Sequence, residues 1–256
     1  MFRHQGKSRT LTHNLRIATI LSFVAGIVNV SGFLAFSELT TNVTGHFALF
    51  IRDVADFKLW KGTIYFLYIF SFLFGSFASS FLIEQFKASR KLNVFVLPTL
   101  IESAILLSIG FTSAQVHATY PELIVCLLLF AMGSQNSFVT KISNAVVRTT
   151  HLTGLFTDLG IELSQLFFPK IHPNRTKIKA NIKLRLYIIC FFFLGGLTGG
   201  FLYSTMDLKL KALIFGALIL LTSLFYDDFK FRLIKVTRRF RHRRRASIKL
   251  RARPKV

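Results

Sequence analysis

Acids are scarce in this chain: 11 Asp and Glu stand against 33 Lys and Arg, a net charge of +22 over 256 residues. Charged residues of both signs make up 17% of the total, where an ordinary soluble domain carries about 25%. So little charge argues against a soluble fold, and so few acids leave no carboxylate-rich metal cluster. Cysteine is scarce as well. Cys126 and Cys190 both fall inside apolar runs, which speaks against a disulfide or a thiolate metal site. No HExxH, GxSxG, CxxC or phosphate-loop motif occurs, so the chain reads as a non-enzyme without metal or cofactor.

What the chain does have is apolar: 52% of it is hydrophobic, 30 residues are Phe, and the mean hydropathy is +0.51. Hydrophobicity with excess positive charge points to a membrane protein whose basic segments face an anionic surface. Nucleic-acid binding is the rival explanation of such basicity. Long uncharged stretches do not suit a soluble binder, so nucleic acid is not an expected partner.

A bilayer core needs about 20 apolar residues in a helix. Six stretches qualify: Ile17 to Phe36, Gly62 to Ile83, Leu92 to Gly110, Leu123 to Val139, Leu186 to Tyr203, and a shorter one from Leu208 to Tyr226. The expected class is therefore an all-α integral membrane protein with six transmembrane helices. Lys and Arg set its orientation. They crowd residues 1–16, the link between spans two and three, the link between spans four and five, and the tail after span six. The loop SAQVHATYPE between spans three and four has none. Both termini are then expected on the cytoplasmic side.

A polar phrase occurs twice. Residues 40–47 read TTNVTGHF and residues 149–156 read TTHLTGLF, identical at five of eight positions. Three spans separate the copies, so the two halves would run in opposite directions across the membrane, as in many secondary transporters. Other matches follow in the same order. Gly26 and Asn29 parallel Gly133 and Asn136, Asp53 parallels Glu162, and FGSFASSFL parallels LGGLTGGFL. The last pair supplies small residues, Gly75 with Ser79 and Gly195 with Gly199, that let helix backbones approach closely. The division expected is a basic N-terminus at 1–16, membrane repeats at 17–113 and 114–226, and a basic tail at 227–256.

After each phrase comes a segment of helical period too short and too charged to span. Each is expected to form a half-helix initiated at Thr-Gly, with its dipole and free N–H groups favouring an anion or polar group near the midplane. The alternative is a plain turn followed by a helix lying on the membrane surface. On the first reading Asn29, Thr44, Gly45, His46, Gln135, Asn136, Thr153 and Gly154 are candidate substrate-binding residues. Glu102 is the one acid well inside a span, a costly place for charge. Burial favours its neutral form, so Glu102, with Asp53 and Glu162, is a candidate for proton coupling. His46 and His151 flank the breaks and are candidates for titration. In the tail, Arg238, Arg239, Arg241, Arg243, Arg244 and Arg245 are candidate contacts for anionic lipid head groups.

The pattern Gly26-x-x-Asn29-x-x-Gly32-Phe33, Thr44-Gly45, Gly133-x-Gln135-Asn136, Thr150-x-x-Thr153-Gly154 resembles the YoaK-like family of small bacterial membrane proteins. Members usually carry Asp at the position of Asn29 and Asn at that of His46. The resemblance implies a bacterial cytoplasmic membrane location and offers no catalytic residue. The expected function is a secondary transporter or channel for a small polar or anionic solute. The alternative is a membrane anchor, sensor or assembly protein acting through its tail. Expected partners are membrane lipids, the solute and further copies of the chain.

Overall fold

A long apolar run leaves the backbone no partner but itself, and a helix satisfies every interior N–H and C=O within one segment. The computed structural model describes residues 10–87, 96–143, 146–168, 170–171 and 173–226, and every regular element among them is helical. In order these are α1 (Leu11–Phe36), α2 (Thr44–Ala55), α3 (Leu59–Lys87), α4 (Val96–Phe111), α5 (Ala114–Thr119), α6 (Pro121–Ser143), α7 (Leu152–Gln165), α8 (Arg175–Gly200) and α9 (Lys209–Tyr226). A π-helical turn carries α8 on to Thr205.

Five helices, α1, α3, α6, α8 and α9, are long and apolar enough to cross a membrane, and α4 is a shorter apolar helix of 16 residues. Five expected spans therefore lie in spanning-length helices. The third lies in α4, and its expected first residues, 92–95, fall outside the described residues. So do residues 1–9 and the tail with Arg238, Arg239, Arg241, Arg243, Arg244 and Arg245. Most helices outrun the apolar cores that mark them. α8 begins at Arg175, eleven residues before Leu186, because the Asn174 side chain caps it by accepting from the Lys177 N–H at 3.3 Å.

The halves interlock. α1 lies along α8 and α3 along α6, with α2 on α3, α7 on α8, and α4 on α6. Glycines decide how close the long pairs come. A Cβ at Gly26 would overlap the backbone oxygen of Phe192, and one at Gly195 that of Phe23. The other pair repeats this: Gly133 abuts the oxygen of Phe72, and Gly75 that of Phe130. In all four helices the Phe stands three residues before the Gly. Further contacts give the direction. Gly199 meets Ile27, and the Tyr203 hydroxyl donates to the Leu34 carbonyl at 3.3 Å. On the other pair, Ser76 donates to the Gly133 carbonyl at 2.9 Å, and the Lys141 ammonium lies 2.8 Å from Glu84. Both pairs thus run parallel.

Candidate functional site

The repeated phrases sit at two points where the chain turns back into the apolar body. After α1 ends, Ser37 takes a left-handed conformation (φ 57°) and donates its N–H to the Phe33 carbonyl. The chain then retraces the helix. Thr40 donates to the Val28 carbonyl at 3.0 Å, and Thr41 to the Asn29 amide oxygen at 2.7 Å. Gly32 has no side chain to collide with Thr40. Those contacts lie seven or eight residues before the end of α1, about 11 Å back along its axis. α2 starts there and climbs out against α3. Its first turn brings the His46 ring to 5.1 Å from Tyr68, and its last brings Val54 to Gly62.

The second phrase does the same beside α6. The Gln135 amide donates to the Thr149 hydroxyl at 2.9 Å and to the Leu21 carbonyl of α1 at 3.0 Å. The Asn136 amide donates to Thr150 at 2.7 Å and to the Met132 carbonyl at 3.0 Å. Gln135 and Asn136 again stand seven or eight residues before the end of their helix. Thr40, Thr149 and Gln135 are fully buried. The breaks are therefore polar knots in which Asn29 and Asn136 hold a turn in place, and in the second the buried Gln135 Oε1 is left without a hydrogen-bond partner. They do not coincide. One anchors at Val28 of α1 and the other, through Gln135, at Leu21, about 10 Å apart along the helix.

The Thr-Gly pairs stand in the first turns of α2 and α7 and do not cap them. The N-caps are Val43 and His151, and neither half-helix has a side-chain cap bond. Thr44 and Thr153 are exposed, and Gly45 and Gly154 are half-buried. A Cβ at Gly45 would press on Leu39, and one at Gly154 on the His151 ring. The first-turn N–H groups have no intrahelical partner.

Around the first half-helix the polar residues differ from those around the second. His46 is fully buried, with Nε2 2.6 Å from the Leu39 carbonyl oxygen, so Nε2 carries the proton and donates. Its Nδ1 has no hydrogen-bond partner and faces the Glu38 carboxylate at 3.7 Å. Burial pushes the imidazole below its ordinary value, opposed by the Leu39 bond, and pushes Glu38 up, opposed by a bond from Tyr65. Asp53 is buried, with Oδ1 held by exposed Arg52 at 2.8 Å and Oδ2 without a partner. Lys58 pairs with Asp56 at 2.8 Å at the turn into α3.

In the second half-helix Glu162 takes a fork from Arg185, Nε to Oε2 at 2.8 Å and Nη2 to Oε1 at 3.0 Å. Arg185 also lies 3.3 Å from Asp158. Arg148, His151, Gly154, Asp158, Lys177, Asn181 and Arg185 line a cavity of about 350 Å³ here. Losing Arg185 would strand a nearly buried carboxylate. Arg185→Gln should therefore cost about 1–3 kcal/mol, read as a fall in the thermal midpoint of the detergent-purified protein. Replacing Glu162 and Arg185 together by leucine should recover most of it, since a buried pair is costly to halve and cheap to remove.

Glu102 is placed by α4, fully buried, with neither carboxyl oxygen hydrogen-bonded. It is remote in sequence from both knots and joins neither. Cys126 is half-buried and Cys190 exposed, both as free thiols, and the described residues contain no group of three or more side chains suited to a metal.

Residues 17–226 match the family model described as "Protein of unknown function (DUF1275)". The chain belongs to the DUF1275 family. The match spans α1 to α9 and so covers both breaks and both interlocked helix pairs. No curated protein and no solved structure is significantly similar to the chain, and the YoaK-like label therefore rests on the motifs quoted above.

Sequence reasoning passed over Arg148, Arg185, Glu38 and Tyr65, and it weighed Thr44 and Thr153 above the Thr pairs that make the knots. The signal for the pairs was available: TT opens both phrases, and Thr is suited to bonding a neighbouring backbone. Arg185 lies 23 residues from Glu162, and no local pattern links them.

Proposed function

We propose that this DUF1275 protein is a secondary transporter or channel for a small polar or anionic solute, built from two inverted repeats. The observation that carries the reading is the pair of re-entrant breaks. At each, the chain returns about 11 Å along the helix it has just left and starts an uncapped half-helix inside the apolar body. Alternating crossings of the six spans give the two copies opposite directions. Discontinuous helices whose N-termini point inward are a common means of binding polar solutes in membranes. The excess of Lys and Arg on one set of loops favours both termini inside, and the resemblance to the YoaK-like family favours a bacterial cytoplasmic membrane.

A second reading keeps the repeat as scaffold and makes the protein a non-transporting anchor, sensor or assembly partner. The hydrogen bonding within the knots favours it, because a site that has spent most of its polar groups on itself, with Gln135 Oε1 left over, has fewer to offer.

Single-cysteine accessibility in intact cells separates these readings, after replacement of Cys126 and Cys190. Probes run from Thr44 to Asp53 and from Thr153 to Glu162, with membrane-impermeant and permeant thiol reagents. The expected result is labelling of the first stretch from outside and of the second from inside only, reaching the first turn of each half-helix. Labelling of both stretches from one side would remove the inverted repeat. Labelling confined to the far ends of α2 and α7 would leave a dry scaffold.

A further inference from the structure

We propose that the cavity between the second break and α8 is a binding site for a phosphate group. It is distinct from the polar knots and does not require that any solute cross the membrane. Arg148, Lys177 and Arg185 bring three positive charges to it, against one acid, Asp158. Arg185 is already engaged by Asp158 and Glu162. Arg148 and Lys177 are exposed, and neither side chain forms an ion pair among the described residues. Two uncommitted cations face the same hollow, with the Asn181 amide beside them as a further donor. Gly154 also lines it, so the uncapped first turn of α7 borders the cavity and adds N–H groups of the sign an anion needs.

Arg185 is tied to Glu162, but the break itself does not call for positive charge at these positions. In the first half Leu39 precedes the TT pair as Arg148 does in the second. Tyr65 stands ten residues before Gly75, as Arg185 stands ten before Gly195. The same break and half-helix are thus built with a leucine and a tyrosine at the matching positions. Positive charge has been added to one copy of a shared architecture, where a cavity of about 350 Å³ opens. That size falls within the range of small-ligand pockets, roughly 300–1,000 Å³, and exceeds what a bare inorganic ion fills. Arg offers a planar fork and Lys a point charge, the usual pair for a phosphate oxyanion. The group can come from a soluble phosphorylated molecule or from a lipid head group at the membrane surface.

The test uses the full chain, purified in detergent and stripped of lipid. Inorganic phosphate is titrated calorimetrically, and the protein is also reconstituted with phosphatidylglycerol or phosphatidylcholine and scored by native mass spectrometry for retained lipid. The variants are Arg148→Gln, Lys177→Gln and the pair together, with Lys179→Gln as an exposed cation outside the cavity. The expected result is saturable binding of phosphate, or selective retention of phosphatidylglycerol, weakened about tenfold by each cavity substitution and unchanged in Lys179→Gln. Phosphate binding without lipid retention identifies a soluble ligand, and the reverse identifies a lipid. Either source supports the site. Absence of both, or affinity equal in wild type and double variant at an unchanged thermal midpoint, overturns it. A failed uptake assay with intact phosphate binding would remove the transport reading and leave this site standing.

Discussion

Gly133→Val is expected to abolish a folded, monodisperse protein. The new side chain would grow into the backbone oxygen of Phe72, and a backbone atom in the middle of a spanning helix cannot rotate away. Inserting atoms into a packed contact costs about 1–3 kcal/mol when side chains can adjust. Here α6 would have to separate from α3 along their shared length, so the loss should exceed that range. The same holds for valine at Gly26, Gly75 and Gly195, whose added Cβ atoms also meet backbone. Gly160 supplies the control: it sits in α7 with nothing within 4 Å of the place a Cβ would take, and Gly160→Ala should be neutral or gain up to about 1 kcal/mol from helix propensity. Fluorescence-detected size exclusion of tagged protein after a temperature series reads both. If Gly133→Val elutes and melts like wild type, the close parallel packing of α3 and α6 is wrong.

Glu102→Leu is expected to stabilise the protein and to silence it. Both carboxyl oxygens are buried without a hydrogen-bond partner, a state that costs about 1–3 kcal/mol on the scale of protein substitutions. Leucine removes that cost and fills nearly the same volume, so the thermal midpoint should rise. A group kept at such a cost is a candidate for work, and on the transport reading the leucine variant should lose proton-coupled uptake while remaining well folded. Glu102→Gln keeps the shape and hydrogen-bonding capacity but cannot exchange a proton, and should show the same loss of coupling with a smaller change in midpoint. A fall in midpoint for Glu102→Leu would mean the carboxyl is a structural partner in the native protein. Unchanged uptake in both variants would remove it from the coupling scheme.

Hydropathy made the number and order of the apolar helices legible, because each apolar core must be helical in lipid. Their true ends were less so. α8 extends well ahead of its apolar stretch into RTKIKANIKLR, where a capping asparagine, not hydropathy, sets the start. The doubled phrase marked both breaks, since TT beside a span has to find hydrogen bonds within reach, and Asn29 and Asn136 provide them. Which helix lies against which was not legible. The small residues announced close approach without naming the partner, and a parallel pairing of α1 with α8 joins residues far apart in the chain. The cation-lined cavity was hidden for a related reason. Arg148, Lys177 and Arg185 are three among many basic residues between the fourth and fifth spans, and only the fold selects them.

The interlocking of the helix pairs also sets an order in time. α1 is the first helix made, and the surface that Gly26 is shaped to meet belongs to α8. Some 140 further residues must be synthesised before that partner starts to emerge, on the order of 10 s at ordinary translation rates. Throughout that interval the small-residue face of α1 lies against lipid or against the insertion machinery. The first half cannot close on itself and wait, because its two longest helices each need one from the second half. Assembly of this protein is therefore late and ordered, α3 meeting α6 before α1 can meet α8, and a chain stalled between the halves leaves two unmatched faces in the membrane.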